Sequence, residues 1–189
     1  VPAVAAEFGL KVMVGAWIDK NVDRNKREIE AAITLARRNS NVIGVVVGNE
    51  VIYRGEQEVG DLVEMIKRVK KSVSVPVTTG EIWHVWREFP QLANNVDFIA
   101  AHVLPYWENF TDKQAVDQAV DRFNLLRDLF PGKRVVIAEF GWPSAGYNLL
   151  NAVPGQFEQA SVLRNFVTRA EAIGMDYNIV EAIDQPWKF

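Results

Sequence analysis

The sequence predicts an α/β fold, specifically a (β/α)8 TIM barrel of which strands 3 to 8 are visible in this chain. Three observations support this fold class. Six short apolar runs, rich in β-branched residues, alternate with longer amphipathic segments, as parallel strands alternate with helices. No glycine-rich phosphate loop follows the first run, although a doubly wound sheet, the competing architecture, usually has one. The chain also opens on a helix-like segment that stops at Gly9.

The length of the chain suggests only part of such a barrel. A (β/α)8 barrel usually takes about 250 residues, whereas this chain has 189 and finishes just past an apolar run. We therefore expect residues 1–189 to form a single partial (β/α)8 domain that lacks the first two βα units and the last helix. Its core would be open along one side, so we expect poor stability unless the remaining elements are supplied elsewhere.

The predicted strands are apolar throughout rather than alternating, as strands covered on both faces should be. They cover residues 10–19, 42–50, 75–83, 96–104, 134–142 and 177–187.

The segments between these strands have helical periodicity. Asp23 is expected to cap the first helix, and Thr111 with Gln114 forms a capping box ahead of a later one. Gly174 is placed to stop the last helix. The predicted helices cover residues 24–38 and 58–71, a weaker segment around 86–94, the stretch after the capping box, and residues 156–173.

Composition argues against several classes of function. The formal net charge of −3 gives no electrostatic case for binding nucleic acid or an anionic membrane surface. The chain has no cysteine, so a disulfide framework and a thiolate metal site are both excluded. His84 and His102 are its two histidines, and their spacing matches no common zinc motif. No apolar run approaches the roughly 20 residues that a membrane span needs.

Carboxylates and aromatic side chains gather where the predicted strands end. In (β/α)8 barrels the chemistry lies at that carboxyl-terminal face. Aromatic rings stack on the C–H faces of sugars, and carboxylates or amides bond sugar hydroxyls, so this rim favours a carbohydrate site. Its members are Trp17, Asp19, Asn49, Glu50, Glu81, Trp83, His84, His102, Tyr106, Trp107, Glu139, Trp142, Glu181, Asp184 and Trp187.

Glu50 and Glu139 stand out because each closes an uninterrupted apolar run. Three βα units separate the two strands, so we expect the two residues to face each other across the barrel mouth. Retaining glycosidases need two carboxyls about 5–5.5 Å apart, one as acid/base and one as nucleophile. Apolar surroundings would raise the pKa of the acid/base, as that role requires. A single glutamate at a strand end is more often a helix-cap partner or a member of an ion pair, so the hypothesis depends on the pair.

Two motifs resemble glycoside hydrolase family 17, the β-1,3-glucanases and related glucanosyltransferases. They are "GVVVGNEV" at 44–51 and "VVIAEFGWPSAG" at 135–146. The resemblance implies that Asn49 precedes the acid/base Glu50 and that Glu139 is the nucleophile. It also implies that Tyr106, in "LPYW", hydrogen-bonds that nucleophile.

The stretches "TTGEIWH" and "AIDQPWK" resemble the bacterial branch more than the plant endoglucanases. The resemblance implies β-1,3-glucan transglycosylases that make periplasmic glucans and can belong to larger, membrane-anchored envelope proteins. A periplasmic or extracellular location is therefore expected. Family members carry two further strands before the point where this chain begins.

The sequence therefore favours a retaining β-1,3-glucan hydrolase or transglycosylase that acts on laminari-oligosaccharides and needs no metal or cofactor. Asn49 would bond the 2-hydroxyl of the sugar, and Tyr106 would orient Glu139. The further candidate sugar contacts are Glu81, Trp83, Trp142, Asp184 and Trp187. One alternative is a non-catalytic β-glucan-binding module derived from a barrel enzyme. Another is an unrelated barrel with a metal or phosphate site, which would want more histidines or a phosphate-binding loop.

Overall fold

The computed structural model describes residues 1–181 and residue 183, and the structural statements below concern that part of the chain. Helices and strands alternate along it. Their order is α1 (Pro2–Glu7), β1 (Val12–Ala16), α2 (Val22–Arg38), β2 (Val42–Asn49), α3 (Val59–Lys70), β3 (Val77–Ile82), α4 (Trp83–Glu88), α5 (Pro90–Asn95), β4 (Phe98–His102), α6 (Asp112–Leu129), β5 (Arg134–Phe140), α7 (Gln156–Ile173) and β6 (Asp176–Ile179).

The six strands form a sheet in which hydrogen-bonded neighbours follow chain order from β1 to β6. The pairs β1–β2, β2–β3 and β5–β6 are parallel, so each of these connections crosses back along one or more helices. All six predicted strands are present. Strands β1 to β5 are each shorter than the apolar run that predicted them, because the run includes residues that flank the strand. The prediction of an α/β fold with parallel strands is confirmed.

By compactness the chain divides into two units, Val1–Ala100 and Ala101–Phe189. In the first unit, α2 and α3 bury their apolar faces against the strands. Leu62 and Ile66 of α3 are fully buried there, and so is Val45 of β2. The prediction of one domain over residues 1–189 stays a prediction.

In the second unit, α6 and α7 pack against β5 and β6. The ring of Phe140, at the end of β5, stacks on Phe166 of α7 with 3.7 Å between ring centroids. Tyr177 of β6 meets Phe166 edge-on at 5.3 Å. These three rings therefore join strand and helix in the core of this unit.

Helix ends follow the predicted capping chemistry with one exception. The capping box of Thr111 and Gln114 is present, and Gly174 ends α7 in a left-handed conformation with φ of 66°. The predicted cap at Asp23 is wrong. Asn21 caps α2 instead, because its side-chain oxygen accepts the N–H of Arg24 at 2.9 Å. Asp23 lies in the first turn, where a carboxylate also stabilises a helix.

The weak helical segment around 86–94 consists of two short helices, α4 and α5, that meet at Phe89 and Pro90. Proline lacks an N–H and disfavours helical geometry in the residue before it, so α4 ends and α5 begins there. At the other end of α4, Trp83 is the first residue of the helix rather than the last of the predicted strand, because β3 ends at Ile82. Within the described residues, none of the helices is both long and apolar enough to span a membrane.

Candidate functional site

In the first unit, Glu50 follows β2 in a left-handed backbone conformation, with φ of 53°. Gly48 also has a positive φ, 87°. The chain therefore turns sharply out of the strand at Asn49, and the N–H of Glu50 donates to the carbonyl of Gly80 at 2.7 Å. A left-handed non-glycine residue costs about 1–3 kcal/mol and persists only where its surroundings hold it. Such strain at a predicted catalytic residue is consistent with a functional turn.

Glu81, predicted as a sugar contact, is fully buried on β3. One of its carboxylate oxygens accepts the N–H of Ile52 at 2.8 Å, and the other accepts the N–H of Tyr53 at 3.3 Å. Both amides belong to the turn after Glu50. Both carboxylate oxygens of Glu81 thus bind main-chain amides of this turn, and its predicted sugar contact stays a prediction.

Arg54 holds the carbonyl side of the same turn. Its Nε donates to the carbonyl oxygen of Asn49 at 3.1 Å, and its Nη2 donates to that of Ile18 at 3.0 Å. The guanidinium also pairs with Glu56 at 3.0 Å and lies 4.5 Å from the ring centroid of Trp17. Arg54 was not among the predicted site residues, although it contacts four groups around this turn.

Aromatic side chains surround the turn. Tyr53 and Trp83 each meet His84 edge-on, at 6.0 and 5.7 Å between centroids. Arg87 lies 5.2 Å above the ring of Trp83. Tyr53 is largely exposed and was not among the predicted site residues. Its position three residues after Glu50 is the one sequence signal that could have identified it.

Asp19, another predicted rim residue, has a local structural role. Its carboxylate pairs with Arg24 at 2.7 Å and accepts the N–H of Asn21 at 2.7 Å. Its main-chain N–H donates to Asn25 at 3.0 Å. These bonds anchor the start of α2, so Asp19 organises a helix end.

In the second unit, Glu139 lies near the end of β5 with its side chain partly exposed. The Nε2 atom of the buried His102 lies 3.8 Å from a carboxylate oxygen of Glu139. The carbonyl of Glu139 accepts the N–H of Val103 at 2.9 Å, which aligns the two strand ends. His102 therefore adjoins the predicted nucleophile, a relation that its sequence position left open.

Glu139 also lines a cavity of about 750 Å³ within the second unit. This volume lies in the range of small-ligand sites. Aromatic rings and carboxylates share its wall, which suits a sugar ring with its apolar faces and polar edges. Six of the lining residues are Tyr106, Trp107, Glu139, Trp142, Tyr147 and Glu181.

Tyr106 and Trp142 fix the shape of this cavity. Both are buried, and their rings meet edge-on at 5.5 Å. The Tyr106 hydroxyl donates to the carbonyl of Tyr147, and the indole Nε1 of Trp142 donates to the carbonyl of Val153 at 3.0 Å. Both bonds tie down the loop between β5 and α7. The Tyr106 hydroxyl thus gives its proton to the Tyr147 carbonyl. Its predicted hydrogen bond to Glu139 stays a prediction.

Burial raises the pKa of Tyr106 above its ordinary value of 10.0, and the neighbouring Tyr147 adds to the rise. The phenol is therefore neutral over the usual working range of pH and remains a hydrogen-bond donor. Tyr147 was not predicted as a site residue, because a solvent-exposed tyrosine in a loop carries no sequence signal of its own.

Each unit thus collects part of the predicted site. The first brings Asn49, Glu50 and Glu81 together at the start of one turn. The second places Glu139 and the cavity aromatics on one wall. The pairing of Glu50 with Glu139 stays a prediction. The predicted sugar contacts Asp184 and Trp187 lie outside the described residues.

Comparison with protein families gives a match over the whole chain. A family model described as "BtgE/BtgC glycoside hydrolase domain" matches residues 1–189.

Among curated relatives, a probable glucan endo-1,3-β-glucosidase btgC of Aspergillus flavus is 27% identical over 207 residues. This match covers 95% of the chain and 30% of the relative. The Aspergillus fumigatus protein of the same name is 29% identical over 209 residues, with the same coverage. The chain therefore spans less than a third of the length of these curated relatives.

Among solved structures, the chain is similar to a glycoside hydrolase family 17 β-1,3-glucanosyltransferase from Rhizomucor miehei. The TM-score is 0.91 at 30% identity, over 100% of this chain and 71% of that one. An active-site mutant of that enzyme in complex with laminaritriose matches equally well. An endo-laminarinase from Formosa, at 19% identity and a TM-score of 0.78, supports the fold alone. These matches confirm the predicted barrel-type α/β fold class.

Proposed function

The chain belongs to the BtgE/BtgC glycoside hydrolase family, within glycoside hydrolase family 17, and from that premise we propose that it is a retaining β-1,3-glucan hydrolase or transglycosylase. The resemblance drawn from the two glutamate motifs is confirmed at the level of the family. The observation that carries the proposal is Glu139, which lines an aromatic cavity at the end of β5 within a family match that spans every residue.

In the proposed reaction, the Glu139 carboxylate attacks the anomeric carbon while protonated Glu50 gives its proton to the leaving glycosidic oxygen. The carbon–oxygen bond breaks, and a glycosyl ester on Glu139 remains. Water or a sugar hydroxyl then attacks the anomeric carbon, its proton passes to Glu50, and the ester bond breaks. The anomeric configuration is retained because each displacement inverts it once.

We assign the sugar contacts according to accessibility. Trp142 and Tyr106 would shape the wall beside the sugar, and Trp107 and Tyr147 are exposed enough to stack on it. Asn49 would bond the 2-hydroxyl, an interaction that strengthens as positive charge develops on the ring. Trp83 lies in the aromatic group beside the Glu50 turn and remains a candidate contact.

Substrate and setting are part of the proposal. The substrate class is β-1,3-glucan, because the curated relatives are named for endo-1,3-β-glucosidase activity and one matching structure holds laminaritriose. The relatives cited above are fungal, whereas the motifs "TTGEIWH" and "AIDQPWK" suggest the bacterial branch. From those motifs we also propose a role in envelope glucans, a periplasmic or extracellular location, and a place in a larger, membrane-anchored protein.

The proposal is tested with Glu139→Ala. Turnover of laminari-oligosaccharides should fall by roughly a thousandfold or more, since no carboxylate can form the glycosyl ester. Added azide should restore turnover by entering the vacated space, and its product should have the inverted anomeric configuration. Chromatography of the wild-type products gives the balance of the reaction, because products longer than the substrate indicate transfer and shorter ones indicate hydrolysis.

Glu171→Ala is the matched control, because it removes an exposed glutamate from α7 in the same unit. It should leave turnover unchanged. Full activity in Glu139→Ala would contradict the proposal. Glucan binding without turnover by the wild-type chain would favour the non-catalytic binding module instead.

A further inference from the structure

The turn of residues 50–56 is held in place from two sides. It begins with Glu50 in a left-handed conformation that a residue with a side chain seldom adopts. Such a conformation persists only when neighbouring groups fix it. The N–H of Glu50 donates to the Gly80 carbonyl, and the carbonyl of Glu50 accepts the N–H of Arg54 at 2.8 Å. The groups that hold the remainder of the turn therefore also fix the main chain from which the Glu50 carboxyl projects.

Glu81 holds the amide side of the turn. It is fully buried, and its two oxygens accept the N–H groups of the second and third residues after Glu50. A buried carboxylate that accepts two main-chain amides makes strong, charge-assisted hydrogen bonds with defined directions. Glu81 follows Gly80 on β3, so the strand that receives the Glu50 amide also supplies this carboxylate. The carbonyl of Gly80 and the carboxylate of Glu81 therefore both tie the turn to β3.

Arg54 holds the carbonyl side. Its guanidinium donates to the carbonyls of Asn49 and Ile18 and so connects the turn to the segment after β1. The planar fork of arginine suits several directed bonds at once, which a lysine ammonium cannot reproduce. Together, Glu81 and Arg54 bind main-chain groups on both sides of Glu50.

We propose that Glu81 is a positioning residue, which fixes the Glu50 carboxyl for proton transfer by binding the Ile52 and Tyr53 amides. This inference rests on the proposed function, in which Glu50 is the acid/base. Proton transfer needs the acid within hydrogen-bond reach of the leaving oxygen, and a displacement of about 1 Å can cost roughly 100-fold in rate. In this role Glu81 acts through the main chain of the turn and needs no contact with the sugar.

The test uses Glu81→Gln and two substrates. The amide keeps the size of the side chain but offers one acceptor oxygen, and its NH2 group would face one of the two amides. The first substrate is a laminari-oligosaccharide, whose sugar leaving group needs a proton. The second is an aryl β-laminaribioside with an acidic phenol leaving group, which departs without one. The readout is kcat/KM, which reports formation of the glycosyl ester.

We expect kcat/KM for the oligosaccharide to fall about 10- to 100-fold in Glu81→Gln, with at most a few-fold fall for the aryl glycoside. Glu64→Gln, an exposed glutamate on α3 paired with Lys67, is the matched control and should change neither value. An equal fall on both substrates would show a general structural role and overturn the inference. No fall on either would overturn it as well.

If circular dichroism shows that Glu81→Gln does not fold, Arg54→Lys replaces it in the same comparison of two substrates. It weakens the carbonyl side of the same turn and should give the same split between substrates. Equal losses in that variant would overturn the inference. A wild-type chain that turns over neither substrate would overturn the proposed function and the positioning role with it. A wild-type chain that turns over both, beside variants without the split, would overturn the positioning role alone.

Discussion

Tyr106 illustrates how one hydroxyl organises the wall of the cavity. Its ring is buried between Trp107 and Trp142, and its proton goes to the carbonyl of Tyr147. Tyr147 lies 41 residues further along the chain, in the loop before α7. The bond therefore joins the exposed loop before α7 to the buried ring of Tyr106, in the turn after β4.

Tyr106→Phe should lower the free energy of unfolding by about 1 kcal/mol, because it removes one hydrogen bond and leaves the Tyr147 carbonyl unpaired. Under the proposed function, KM for laminari-oligosaccharides should also rise, since the loop lines the cavity. Urea denaturation and steady-state kinetics give the two values.

Tyr177→Phe is the control for that substitution. It removes a hydroxyl whose partner is Glu171 on the surface, at 2.9 Å. We expect a change of less than about 0.5 kcal/mol and no change in KM. Equal effects of the two substitutions would contradict the role assigned to the Tyr106 hydroxyl.

At the scale of elements, the residues that follow β5 and β6 approach each other closely at Gly141. A Cβ atom built at this position would lie 2.1 Å from the carbonyl oxygen of Val180. Real atoms do not approach that closely, and main chain cannot move aside as a flexible side chain can. Gly141 therefore lets the main chain after β5 pack closely against Val180 beside the cavity.

Gly141→Ala should destabilise the chain by about 1–3 kcal/mol, because the main chain at residues 141 and 180 must separate to admit the methyl group. Gly60→Ala on α3 is the matched control, since a Cβ there meets nothing within 4 Å. It should raise stability by about 0.4–1 kcal/mol through the lower entropy of the unfolded chain. Thermal or urea denaturation measures both, and a neutral Gly141→Ala would contradict the close approach.

At the scale of the whole molecule, stability should depend on pH at the alkaline end. Burial raises the pKa of Tyr106, and the hydrogen bond to Glu171 raises the pKa of Tyr177, both above 10.0. Above pH 10 the unfolded chain releases these protons while the folded chain keeps them. Because the unfolded state then binds fewer protons, the free energy of unfolding falls as pH rises.

The contribution of the two tyrosines to the free energy of unfolding is therefore fully present below pH 10. It is lost as pH rises through their pKa values in the folded chain. The urea midpoint should fall over that alkaline range in the wild-type chain. The double variant Tyr106→Phe/Tyr177→Phe should show a smaller fall. An identical pH dependence in the two chains would contradict the assignment.

Local features of the fold could be predicted from the sequence. The apolar runs marked all six strands, the capping box marked the start of α6, and Gly174 marked the end of α7. The family was likewise identifiable from "GVVVGNEV" and "VVIAEFGWPSAG". Each of these signals depends on residues a few positions apart, so the chain alone carries it.

The roles within the site were decided by tertiary structure. Glu81 reads as one more carboxylate at a strand end, but it binds amides 28 and 29 residues away along the chain. Tyr106 likewise bonds a carbonyl that no local pattern connects to it. Periodicity, capping and motifs are local properties, so the sequence by itself determined the elements, their order and the family. Which polar groups meet depends on how strands and loops pack, so only the folded chain decided which carboxylate lines the cavity and which one holds the turn.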